Sequence, residues 1–424
     1  MVDHGWRVRR TGRFRRGIGL LVSAALLAGL SACDDGGRER AEGDRHALQH
    51  LLDDQAAAVT GGGPDGARDF LATVDPAARG YRLQQQRVFA NLERLPLAEF
   101  SYRLTGAPRR TDGDGTGQVR AEAEAELSYR LRGYDHRPVV STERLSFVRR
   151  GEDWYVRAEL SGSDRQLWEQ GEITAVRGAR SVVLGVGQSR ARLRALARDA
   201  DRAVTEVTDA WPHGWPRRAV LEVPGSAEEM AGLLDASPSE YEGIAAVTTG
   251  ESGVSPDAPA DRVLVNPDAY GELSEEGRRI VLTHEAVHVA TRTHTSDSTP
   301  MWLSEGLADW IGYRGSDRTP REAAPELTRA LRKDGPPRAL PSDEDFRFGG
   351  GRHVLGRAYE GSRLACELIA RDWGESRLAA FYVAVGRQGK DADAAVDEAL
   401  RAELGLSRDE FTARWRAYVE HRLG

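Results

Sequence analysis

The stretch Arg278–Trp310, RRIVLTHEAVHVATRTHTSDSTPMWLSEGLADW, carries side chains whose types and spacing could hold a metal ion. His284 and His288 stand four apart. On a helix they would sit one turn apart on one face, where both imidazoles can reach a tetrahedral zinc at about 2.0–2.1 Å. Glu285 follows the first histidine and points aside, where it can take a proton from an attacking water. The pattern is H-E-x-x-H, written here HEAVH. Glu305, in MWLSEGLADW, supplies a third candidate ligand. Two histidines and a glutamate leave one open position for water. Asp309 lies four residues beyond Glu305 on the same face and can accept the far ring N–H of a ligating histidine, fixing its tautomer.

These residues need particular elements to position them. The run SEEGRRIVLTHEAVHVATRT reads as a helix opening at Ser274, with Glu275 and Glu276 in its first turn. Pro300 marks the start of a second helix. The polar loop TRTHTSDSTP is long enough for the chain to reverse between them and bring Glu305 back to the histidines. Ahead of the pair, SRARLRALARDADRAVTEVTDAW places Leu193, Leu196, Ala197, Ala200, Val204, Val207 and Trp211 on one helical stripe. PRRAVLEVP, EGIAAVTTG and DRVLVNPDAY read as strands, and SAEEMAGLLDA reads as a Ser-capped helix. Strands followed by a run of helices predict an α+β domain over 180–424, with a mixed sheet ahead of the site.

HEAVH followed by WLSEGLADW resembles the gluzincin metallopeptidases, especially the bacterial peptidase-MA-like families. The resemblance covers roughly 217–373. It implies His284, His288 and Glu305 as zinc ligands, Glu285 as general base, and peptide-bond hydrolysis by activated water. It also implies a downstream donor to the oxyanion. In GGGRHVLGRAYEGSRLACELIARDWG that donor corresponds to Tyr359, with His353 the lesser alternative. Two departures stand out. The spacing from His288 to Glu305 is slightly shorter than in the best-known gluzincins. The G-x-M-E-N motif that clamps a free N-terminus in the large aminopeptidases is absent, which argues against that specificity and leaves other peptidase action open. Two further readings stay open: a zinc-binding pseudo-peptidase, and a partner-binding lipoprotein without catalysis. Retention of Glu285 disfavours the first, because a purely structural site needs no base. His294 and His353 read as surface or loop histidines.

The region 46–172 has a different texture. HALQHLLDDQAAAV and ARDFLATV have helical periodicity, and LAEFSYRLTG, QVRAEAEAELSYRLRG, VVSTERLSFVRR and DWYVRAEL alternate as strands. Turn-rich DGDGTG, RGYDHRP and RGED separate the strands. The expected result is a cone-shaped α+β domain, an antiparallel sheet with helices on one face. It resembles the nuclear-transport-factor-2-like domains. No acid–base pair marks it as an enzyme, so it reads as a spacer or partner-binding module.

Basic RVRRTGRFRR precedes a short apolar run, IGLLVSAALLAGL, which has the length of a signal peptide and falls short of a bilayer span. It ends in LSAC, which resembles the bacterial lipobox. Residues 1–32 are therefore expected to be a lipoprotein signal peptide, with Cys33 lipidated and the protein held on the extracytoplasmic face of the cell membrane. DDGGRERAEGDR suits a tether over 33–45. The only other cysteine, Cys366, lies in apolar SRLACELIA and reads as a buried structural thiol. At 424 residues, 40% hydrophobic and 29% charged, the chain is globular and long enough for more than one domain. A net charge of −7, with basic residues interspersed among acidic ones, gives no nucleic-acid footprint. The expected partners are a peptide or protein substrate and the membrane.

Overall fold

The computed structural model describes residues 35–112, 118–241, 243–250, 259–347, 351–387, 389 and 391–424. The signal-peptide run, Cys33 and most of the DGDGTG turn lie outside them. The described chain forms two compact units, 35–173 and 174–424. No described helix is long and apolar enough to cross a membrane.

The first unit opens with helices α1 (Asp35–Gly61), α2 (Gly63–Ala72) and α3 (Arg79–Leu92). Residues 35–45, expected as a tether, are the first turns of α1, which corrects that reading. The cause lies downstream. Leu48, Leu52, Ala56 and Val59 form a buried stripe that fixes the helix, and the Glu/Arg-rich turns before it simply continue it. Asp44 secures this part through a two-pronged pair with Arg110, at 2.6 and 2.9 Å. The strands follow: β1 (Leu97–Leu104), β2 (Arg109–Asp112), β3 (Val119–Leu131), β4 (Val139–Arg150) and β5 (Asp153–Glu159). They pair antiparallel in the order β1-β3-β4-β5, with β2 beside β3. The sheet matches the alternation in the sequence because one face is covered. Ala121, Ala125, Leu145, Phe147, Trp154 and Val156 pack there with Leu48 and Leu52 of α1.

The second unit begins with β6 (Ile173–Arg177) and β7 (Ser181–Val186), a pair the sequence pattern did not reveal. Every residue of β7 is buried, so it lacks the alternation that marks a half-exposed strand. Next come α4 (Arg190–Ala210), β8 (Ala219–Val223), α5 (Ala227–Leu233), β9 (Ala246–Thr248), β10 (Arg262–Val265) and α6 (Pro267–Glu272). The sheet order is β6-β7-β8-β10-β9. β7, β8 and β10 are parallel neighbours, while β9 is antiparallel to β10 at the edge. The sheet is mixed, as expected. On one face lie α4, α7 (Glu275–Thr291) and α8 (Met301–Gly312); on the other, Met230, Tyr241 and Ile244 pack on Val247 and Leu264. The remaining helices are α9 (Pro320–Ala323), α10 (Pro325–Asp334), α11 (Arg352–Trp373), α12 (Glu375–Gly386), α13 (Ala392–Ala399) and α14 (Arg408–Leu423). They extend one continuous core through Leu364, Phe381, Leu400, Phe411 and Trp415.

Candidate metal centre

α7 starts where the sequence places it, with the Ser274 hydroxyl accepting from the Gly277 N–H at 3.1 Å. Pro300 precedes the first turn of α8. Two glycines let α8 wedge between its neighbours. A Cβ at Gly306 would stand 2.5 Å from the Ser362 carbonyl oxygen of α11, and one at Gly312 would stand 3.0 Å from the Ile280 carbonyl oxygen of α7. That close packing swings Glu305 to the two histidines.

The three ligand atoms converge. His284 Nε2 lies 3.1 Å from His288 Nε2 and 3.2 Å from Glu305 Oε2, and His288 Nε2 lies 3.5 Å from the same oxygen. Donors at about 2.0–2.1 Å from a tetrahedral ion are spaced about 3.3–3.4 Å apart. The observed triangle has that size. Among the described residues, buried Glu305 Oε2 has only the two imidazole nitrogens beside it, so it is an anionic atom that needs a cation there. Among the described residues this is the one His/Cys/Asp/Glu group that converges tightly enough to hold a metal. The donor set of two imidazoles and a carboxylate fits zinc.

The residues around the triangle hold it in shape. His284 Nδ1 is 2.8 Å from Asp309 Oδ1, which turns Nε2 toward the ligand triangle. Burial by itself would lower the His284 pKa. The hydrogen bond that the ring donates to Asp309 and the Glu305 carboxylate beside it outweigh burial and raise it well above the usual imidazole range. Burial pushes Glu305 the other way, yet the nearby His288 and His284 charges pull it below the usual carboxylate range. Without a metal the cluster therefore keeps a proton on His284, and a bound cation would replace it.

Glu285 is 1% exposed. Its Oε2 accepts from the Thr248 hydroxyl at 2.6 Å, while Oε1 has no partner. Thr248 ends the edge strand β9. Thr248 carries no signal in the sequence, because nothing in AAVTTG links it to a residue on α7. Tyr359 is buried on α11 with its ring 6.3 Å, centre to centre, from the His284 ring and 5.2 Å from Phe346. His353 is exposed and pairs with Glu326 at 2.7 Å, away from the site. His294 lies against His213 and Trp211. Cys366 is fully buried, and burial together with Asp309 raises its pKa well above the usual thiol range, so it stays an unreactive thiol.

No protein-family profile matches the chain, and no curated protein matches it. Solved structures do align with it. An M1 zinc metallopeptidase from Deinococcus radiodurans aligns at 14% identity and TM-score 0.37, over 76% of this chain and 61% of that one. A two-domain M1 zinc metallopeptidase mutant bound to L-arginine aligns at 13% identity and TM-score 0.35, over 77% and 61%. A mutant from Deinococcus radiodurans bound to a Tyr-Ser-Ala substrate aligns at 14% identity and TM-score 0.34, over 77% and 70%. The chain spans about three-fifths of the length of the first two. The functional reading rests on the side chains instead.

Proposed function

We propose that this chain is a zinc-dependent peptidase, anchored on the extracytoplasmic face of the membrane by lipid on Cys33. The observation that carries the catalytic part is the convergence of His284, His288 and Glu305 beside a buried carboxylate, Glu285, with one free oxygen. When bound, zinc supplies Lewis acidity to a carbonyl and to water. Glu285 Oε1 accepts the proton of the attacking water, while Thr248 holds Oε2 and keeps the carboxylate aimed. The same carboxyl then delivers that proton to the leaving amine. Asp309 fixes the His284 ring. Tyr359 donates a hydrogen bond to the charge developing on the carbonyl oxygen. The edge strand β9, which ends in Thr248, is a ladder to which an extended peptide can add beside Glu285.

The test is cleavage of a denatured-protein mixture, with products mapped by mass spectrometry. Chelator should abolish new peptides and added zinc should restore them. Cleavage that survives chelation would defeat the metal reading. The anchor rests on the LSAC sequence, with Asp34 following it. Cys33→Ala should move the protein from the membrane fraction to the soluble one; equal membrane retention would defeat it.

A further inference from the structure

HALQHLLDDQAAAV holds a second pair of histidines four apart, His46 and His50, that the proposed chemistry does not use. Both lie on α1, whose buried stripe is Leu48, Leu52, Gln55 and Val59. Each residue turns a helix by about 100°, so His46 and His50 fall on the side opposite that stripe. Both are exposed there. Gln49, between them, turns away toward β1. Its amide donates to the Tyr102 carbonyl oxygen, and its own oxygen accepts from the Leu104 N–H, each at 2.8 Å. The amide also donates to Asp53 at 2.8 Å. Two imidazoles one helix turn apart are left facing solvent.

These two rings stand almost as the pair in the metal centre does. The His46 and His50 rings are 4.4 Å apart, centre to centre, with their planes at 74°. The His284 and His288 rings are 4.8 Å apart with their planes at 72°. The same spacing on the same backbone geometry gives the same reach toward one ion. Among the described residues, neither His46 nor His50 has a hydrogen-bond or ion-pair partner to give up. The four-residue step continues on both sides. Glu42 lies one turn before His46 and Asp54 one turn after His50, and both are exposed. Their carboxylates do not converge on the rings as Glu305 converges on its own histidines. The imidazole pair is therefore the anchor, and the acids add negative charge along the same face.

We propose that His46 and His50 form a second, solvent-exposed site for a divalent late transition ion of the copper, nickel or zinc class. Imidazole nitrogens suit these ions, whereas magnesium and calcium prefer oxygen ligands. Two ligands on one rigid helix act as a chelate. Once one ring holds the ion, the helix presents the other at high effective concentration. Water completes the coordination shell. With two protein ligands in open solvent, this site exchanges its ion readily, while the buried three-ligand centre retains one. The assignment stands apart from the peptidase reading, because neither histidine of α1 belongs to that centre.

The test is calorimetric titration of the zinc-loaded full chain, in detergent, with nickel(II) at pH 7.5. Saturable one-to-one binding is expected, with the zinc content unchanged, and magnesium should give no saturable heat. His46→Ala and His50→Ala should each weaken nickel at least about tenfold, because either change breaks the chelate. Both positions are exposed and alanine favours helix, so both variants should unfold in metal-free thermal melts at the wild-type temperature. A chain that holds no zinc before the titration would defeat the peptidase reading and leave this comparison of wild type with the two variants intact. Any one of four results overturns the proposal: no saturable nickel binding, unchanged nickel affinity in both variants, equal binding of magnesium, or release of one zinc for each nickel bound.

Discussion

Glu305 and Glu143 are both buried glutamates, yet their surroundings push them in opposite directions. Glu305 faces two imidazoles and is held as an anion below its ordinary range. Glu143 faces three acids and is held neutral above it. Burial opposes the charge in both places. The sign of the neighbours decides which form survives. One region alternates charge around a single point and suits a compact ion. The other gathers acids around a carboxyl that keeps its proton.

Removing an acid from each region should sharpen that contrast most. Glu305→Ala takes away one of three ligands, so zinc occupancy after dialysis should fall to near zero, as read by elemental analysis. Retained, tightly held zinc would show that another residue is the third ligand. Glu143→Gln should do the reverse to its own unit and stabilise it at pH 8 by on the order of 1–2 kcal/mol, because a buried carboxyl beside other acids is costly to ionise. The pH sign follows. Between about pH 4.5 and 8 the folded unit binds more protons than the unfolded chain, because Glu169 is raised to about 8 and Glu143 is raised as well. The contribution of these two acids is therefore fullest at low pH and is lost as pH rises through that window. Glu143→Gln should flatten the slope in thermal melts. A steeper slope would contradict the assigned environment.

Smaller effects separate the groups around the metal centre. Tyr359→Phe should slow turnover about 10²–10³-fold with zinc retained, the loss of one oxyanion donor. Asp309→Ala should cost about 10–100-fold in metal affinity or activity, because the His284 ring loses its anchor. A Tyr359→Phe protein that sheds zinc would give that residue a structural role instead.

The two regions also differ in how far the sequence exposes them. His284, Glu285 and His288 are legible because their spacing is local: one helix turn places them, whatever the rest of the chain does. Glu305 and Asp309 follow from a second helix with a reversal between. Thr248 is invisible, since its bond to Glu285 depends on where an edge strand docks against α7. The surroundings of Glu143 are harder still. It depends on a bulge between Ser146 and Phe147 and on a single turn folded over Ser141. Strands β1, β3, β4 and β5 are legible from alternation, whereas fully buried β7 is not. The stretch 35–45 looks like a tether by composition and is helical because the stripe of Leu48 and Leu52 downstream imposes it. Cooperative helix extension of that kind is set by neighbours rather than by the polar residues themselves.

The most direct test of the catalytic claim is the turnover of Glu285→Gln at matched zinc content. Glutamine keeps the volume and can still take the Thr248 hydrogen bond, so zinc content and thermal unfolding should match the wild type. Only the proton acceptor is gone, and peptide cleavage should fall about 10²–10⁴-fold. If the zinc-loaded variant cleaves peptides as fast as the wild type, Glu285 is not the base, and the His284–His288–Glu305 centre does not work as a hydrolytic site.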